Sequence, residues 1–97
     1  MFKDSKAFSS FSVNDVDAAK AFYQDKLGLD VKVIPMGENY SILELHVAGD
    51  AKIMVYPKPN HTPASFTVLN FPVDDLENTV DTLTAKGVRF EHYDMEY

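Results

Sequence analysis

The sequence predicts an α+β fold built from two tandem modules, a βαβββ unit followed by an incomplete βαβ unit. Three observations lead there. Val13-Asn14-Asp15 returns sixty positions later as Val73-Asp74-Asp75, and self-similarity at a fixed offset marks a duplicated structural unit. Each copy of that triplet opens a stretch with helical apolar spacing, and a glycine, Gly28 or Gly87, closes each stretch. The remaining apolar segments are short, alternate in polarity and end at turn residues, as strands do.

The elements follow in order. Ala7 to Val13 reads as a strand that stops at Asn14-Asp15. Asn14 or Asp15 can accept hydrogen bonds from the free N–H groups at the start of a helix. Val16, Ala19, Phe22, Tyr23 and Leu27 then form one apolar helical face. Leu29 to Ile34, Tyr40 to Val47 and Ala51 to Tyr56 read as three more strands, separated by Pro35-Met36-Gly37 and Gly49-Asp50. Pro57 to Ala64 contains three prolines and no periodicity, the composition of a stiff linker.

The pattern then restarts. Ser65 to Val73 reads as a strand, Asp74 and Glu77 have capping-box spacing, and Leu76, Val80 and Leu83 form the apolar face of a second helix. Val88 to Tyr93 reads as a last strand. The expected organisation is one domain over residues 1–97, with a first module at 7–57, a linker at 58–64 and a partial second module at 65–97. By analogy with the first copy the second lacks two strands, about 20–30 residues, so the sequence is expected to be part of a longer chain. A chain ending at Tyr97 would leave a sheet edge unpaired, and such an edge invites a second copy, hence an expected homodimer.

Composition narrows the function. The 97 residues carry a net charge of −6 with no basic stripe, which disfavours nucleic acid and anionic membranes as partners. There is no apolar run of membrane-spanning length and no signal-peptide pattern at the N-terminus, so a cytoplasmic location is expected. The absence of cysteine excludes disulfides, thiolate metal sites and thiol nucleophiles. No glycine-rich phosphate loop and no Ser/His/Asp arrangement stands out.

Two long segments carry a family resemblance. FSVNDVDAAKAFYQDKLGL, Phe11 to Leu29, combines a strand, an Asp-led helix, the aromatic pair Phe22-Tyr23 and Leu27-Gly28. AKIMVYPKPNHTPASFTVLNFPVDDL, Ala51 to Leu76, joins a strand, a linker and a second module opening. Together they resemble the vicinal-oxygen-chelate superfamily, which includes glyoxalases, bleomycin-resistance proteins and extradiol dioxygenases. The resemblance implies two βαβββ modules whose sheets enclose a cavity. It also implies a divalent metal held by His or Glu on the first and fourth strand of each module. Those positions correspond here to Phe8, Met54 and Val68, with the fourth beyond Tyr97. None of the three side chains supplies a carboxylate oxygen or an imidazole nitrogen, so no metal cofactor is expected.

Side chains alternate along a strand, which splits each strand between two faces. By the resemblance, Phe8, Ser10 and Ser12 of the first strand line the cavity, and Phe11 and Val13 meet the helix. Met54 and Tyr56 of the fourth strand join them, as do Phe66, Val68 and Asn70 of the fifth, with Leu69, Phe71 and Val73 turned to the second helix. These eight residues are the expected ligand-binding set, an apolar and aromatic wall with a few hydroxyls and one amide. The bland alternative is a filled core between sheets.

Other polar candidates are weaker. Glu44 and His46 share a face on a strand read as a partly exposed edge, and His61 among the linker prolines is read as solvated. Glu91 and His92 point to opposite faces, and Tyr40, Tyr56 and Tyr93 can each donate to a ligand oxygen.

The expected function is metal-independent binding of a small organic molecule, as in the drug-binding resistance members. The competing reading is a metal-dependent glyoxalase-type lyase or isomerase, or an extradiol-type dioxygenase, with ligands displaced to Glu44, His46 or a segment beyond Tyr97. A third is an interaction role in which the dimer itself is the product.

Overall fold

The computed structural model describes residues 1–90. Its elements are β1 (Ser9–Val13), α1 (Val16–Ala21), β2 (Asp30–Pro35), β3 (Ser41–Val47), β4 (Ala51–Pro57) and α2 (Leu76–Ala85). The strands form one mixed sheet in the order β1-β4-β3-β2. β2, β3 and β4 are antiparallel neighbours, whereas β1 runs parallel to β4 with Ser9 opposite Ile53 and Val13 opposite Pro57. The result is α+β, a complete βαβββ unit followed by a second helix.

Alternation along the strands separates two faces. Leu43, Leu45 and Val55 are fully buried and Ile53 nearly so, and around them pack Phe11, Val13, Val16, Ala19, Tyr23, Leu29, Val31 and Val47. That is the helix-covered face, and burying each large side chain there contributes about 1.5–3 kcal/mol. Ser10, Ser12, Glu44, His46, Met54 and Tyr56 occupy the intervening positions and face the other way.

The helix ends repeat as the sequence does. Asp15 Oδ1 accepts from the Ala18 N–H at 3.1 Å, and Asp75 Oδ1 accepts from the Asn78 N–H at 3.0 Å. Asp75, not Asp74, is therefore the cap of α2, and the Asp74/Glu77 capping box does not form. The cap equivalent to Asp15 lies sixty positions on, in step with the repeat. Gly28 (φ +71°) and Gly87 (φ +91°) take the left-handed conformation past the two helices, where an L side chain would be strained.

At the far ends the two lysines sixty positions apart exchange bonds. Lys26 Nζ donates to the Lys86 carbonyl, and Lys86 Nζ donates back to the Lys26 carbonyl at 3.4 Å. Each ammonium thereby meets the negative end of the other helix.

Three expectations need correction. The face of α1 does not include Phe22, which is 39% exposed. After Ala21 the helix widens into a π turn over Phe22–Lys26, and the Leu27 N–H bonds to the Phe22 carbonyl five residues back. That change of pitch rotates Phe22 outward, where it meets Tyr23 edge-on at 5.2 Å. Second, Ser65–Val73 makes no strand ladder, because a strand requires a partner and none is present among the described residues. Leu69 packs onto the first module's core instead, and Phe71 and Val73 stay exposed rather than facing α2. Third, β3 lies between β2 and β4, so Glu44 and His46 sit mid-sheet and not at an edge. Of the last expected strand, Val88–Phe90 is irregular, and Glu91, His92 and Tyr93 lie outside the described residues.

Substituting either cap by alanine, Asp15→Ala or Asp75→Ala, is expected to lower stability by about 1 kcal/mol in urea denaturation, with Leu45→Ala costing about 2–5 kcal/mol. Tyr23 supplies a pH test. Its ring packs beside Phe11 with centroids 6.1 Å apart, and burial pushes its phenol above the ordinary value of 10.0. The neutral phenol is favoured in the fold, so this stability is fully present below pH 10.0 and is lost as the pH rises through the higher folded-state value. Thermal melts between pH 8 and 11 should show an alkaline loss that is shallower in Tyr23→Phe than in the parent.

Candidate functional site

The helix-free face of the sheet is the place where the expected ligand-binding residues meet. Two adjoining grooves run there, the first wrapping past the sheet edge at β1 onto the helix-covered side, where Phe11, Tyr23 and Leu69 line it. The first follows the outer edge of β1, has a volume of about 650 Å³, and is lined by Ser10, Ser12, Tyr56, Phe66 and Val68 with Phe11, Tyr23, Leu69 and the linker residues His61–Ala64. The second lies over β4 and β3, has a volume of about 980 Å³, and is lined by Phe8, Met54, Glu44, His46 and Lys52 with Lys6, Ala7 and the Gly49–Ala51 turn. Ser10 and Met54 are register partners, so the grooves meet along the β1–β4 ladder. Both volumes suit a small organic molecule.

Five of the eight expected residues thus line the edge groove, Phe8 and Met54 line the sheet groove, and Asn70 lines neither. Phe8, Phe66 and Val68 are 65%, 74% and 45% exposed, so the aromatic and aliphatic wall is accessible rather than filled core. Accessible apolar surface next to backbone and hydroxyl groups binds amphipathic molecules by burial.

The linker is not a free strap. The Lys58 N–H bonds to the Val13 carbonyl at 2.9 Å, the His61 N–H bonds back to the Lys58 carbonyl at 3.0 Å, and His61 Nδ1 shares a 2.7 Å hydrogen bond with Ser12 Oγ. The hydroxyl donates when the imidazole proton sits on Nε2. His61 is therefore half-buried in the wall of the edge groove, contrary to its reading as a solvated linker residue. Sequence spacing could not reveal it, because the contact forms only once β4 lies parallel to β1 and returns the linker to the end of that strand.

The sheet groove has a polar floor. Glu44 Oε1 lies 2.7 Å from His46 Nε2 and 3.8 Å from Lys52 Nζ, and the Glu44 side chain is only 14% exposed. The His46 contact is close but misdirected. Nε2 is buried and has no partner of hydrogen-bond geometry among the described residues.

A divalent metal does not fit the positions implied by the resemblance. Phe8 and Met54 face one groove and Val68 the other, and a ring, a thioether and an isopropyl group offer no oxygen or nitrogen donor. Among the described residues, no group of three or more His, Cys, Asp or Glu side chains comes together to hold a metal ion. No helix among them is long and apolar enough to cross a membrane.

Comparison with known proteins agrees with this architecture. The family model of the Glyoxalase/Bleomycin resistance protein/Dioxygenase superfamily matches residues 8–93. No curated protein matches the chain. Among solved structures, a glyoxalase/bleomycin resistance protein from Streptomyces sp. CB03234 is 26% identical with a TM-score of 0.59, over 86% of this chain and 76% of that one. TnmS3, an antibiotic binding protein from the same Streptomyces, is also 26% identical, with a TM-score of 0.64 over 86% of this chain and 72% of its own. A superfamily member from Sphaerobacter thermophilus DSM 20745, 20% identical, shares the fold with a TM-score of 0.68 over 89% of this chain and 75% of that one. With a family match running from the first strand to beyond the second helix, and a βαβββ unit beneath it, the chain belongs to the glyoxalase/bleomycin resistance protein/dioxygenase superfamily.

Proposed function

We propose that this chain is a metal-independent binding protein that holds a small organic molecule against the helix-free face of its sheet, in the manner of a drug-binding resistance protein. The observation that carries the reading is the substitution pattern at the implied metal positions. Phe8, Met54 and Val68 remove the donors and put accessible apolar side chains in the two grooves instead. A metal enzyme would need the reverse. The antibiotic-binding neighbour at 26% identity supports the same reading.

In this role Ser10, Ser12 and Tyr56 orient the ligand through their hydroxyls. Phe8, Met54, Phe66 and Val68 bury its apolar surface. No metal cofactor takes part. The proposal includes a homodimer in the cytoplasm. Its motive is the exposed apolar surface at Phe71, Val73 and Leu76, which light scattering of the purified protein can test.

Two measurements decide the proposal. A panel of apolar and amphipathic compounds screened by thermal shift is expected to yield binders that raise Tm by several degrees, since ligand at a hundred times Kd adds about 2.7 kcal/mol. Ser10→Trp, which fills the join of the two grooves, should abolish that shift while leaving the unliganded Tm nearly unchanged. A panel that stabilises nothing overturns the reading. Elemental analysis after dialysis is expected to find no stoichiometric divalent metal. Tightly retained Mn, Ni, Zn or Fe would instead support the lyase or dioxygenase reading, with Glu44 and His46 as displaced ligands.

A further inference from the structure

We infer that the ligand is elongated and amphipathic, lying along β4 with an uncharged aromatic end in the edge groove and a polar arm in the sheet groove. This rests on the binding role proposed above and specifies the shape, polarity and orientation of what is bound. The argument begins with the division of charge between the two grooves. Among the described residues, no Asp, Glu, Lys or Arg lines the edge groove. Its walls carry the rings of Phe11, Tyr23, Tyr56 and Phe66, and the imidazole of His61 is already engaged by Ser12. A charged ligand group placed there would lose hydration and meet no counter-charge, whereas a flat ring buries its surface against other rings.

The sheet groove is the opposite. Half of its lining is ionisable, with Lys6 and Lys52, Glu44 and Asp50, and His46. The two ammoniums offset the two carboxylates, so the groove favours neither a cationic nor an anionic arm. The Lys52 side chain is 54% exposed, and its 3.8 Å separation from Glu44 exceeds a good hydrogen bond, which keeps its N–H groups for another acceptor. An uncharged arm with both donors and acceptors, such as an amide chain, accepts from the ammoniums and donates to the carboxylates.

β4 sets the order and the length. Tyr56, Met54 and Lys52 alternate with the buried Val55 and Ile53, so all three project from the same face. Tyr56 lines the edge groove, and Met54 and Lys52 line the sheet groove. Ser10 and Glu44 flank Met54, and His46 stands beside Lys52. At about 3.4 Å per residue the track from Tyr56 to Lys52 covers roughly 13–14 Å, the length of a bicyclic ring with a short arm. The unbranched thioether of Met54 lies midway and can adapt to the join between the two parts.

Two probes that share one ring test the inference: 2-naphthamide, and the same naphthoyl group extended by a glycylglycinamide arm. Fluorescence titration is expected to show the extended probe binding about tenfold more tightly, the scale of one or two hydrogen bonds. Lys52→Met should remove most of that advantage and leave 2-naphthamide unchanged, whereas Val68→Asp, which puts a charge into the edge groove, should weaken both. Thermal melts check that each variant folds. Orientation is read on the parent protein, so it does not depend on the variants. A diazirine on the ring should crosslink to the 56–68 stretch, and a diazirine at the arm's end to the 44–54 stretch, as mapped by peptide mass spectrometry. Reversed or indiscriminate labelling, or equal affinity of the two probes, overturns the inference and leaves the binding role standing. The same holds if neither probe binds while other panel compounds do. Failure of every compound removes the binding role and the inference with it.

Discussion

The parallel pairing of β1 with β4 is the constraint on which the other features depend. It joins the two ends of the first module across the helix and two intervening strands, and a closure of that length must be repaid by packing. Phe11 and Val13 repay it by lying beside Ile53 and Val55 over the buried leucines of β3. The same register places Ser10 next to Met54 and Ser12 next to Tyr56 on the opposite face. A slip of one residue would exchange the serines for phenylalanine and valine, and would empty the core and block the grooves together. Stability and site are thus two sides of one ladder.

Much of this was legible in the residues. The positions of the four strands, both helices and both closing glycines follow from alternation, helical spacing and turn chemistry, to within one or two residues at their ends. The repeat offset located the second helix, although the cap proved to be Asp75 and not its neighbour. The rest was not legible because it arises from tertiary context. Nothing in the helical spacing of α1 signals the π turn that rotates Phe22 outward. Ser65–Val73 has the composition of a strand, but composition provides no partner. His61 enters the edge groove only because the parallel pairing of β4 with β1 brings the linker alongside Ser12.

Family membership fixes the scaffold and leaves the chemistry open, as is general for folds that host many activities. What distinguishes this chain is the content of its helix-free face. The positions from which a metal would be held present hydrocarbon and sulfur, whereas the ionisable side chains lie on the neighbouring strand β3 and at the start of β4. Polarity has moved sideways on the sheet. Among the described residues the polar groups of this face lie beside, and not at, the positions from which the resemblance would have a cation held.

The crossed lysines tie the two helix ends to each other. Lys26 and Lys86 each donate to the other's carbonyl, so the last turn of one helix is completed by a side chain sixty positions away. Loss of one lysine would therefore leave a bare carbonyl on the opposite helix and not on its own.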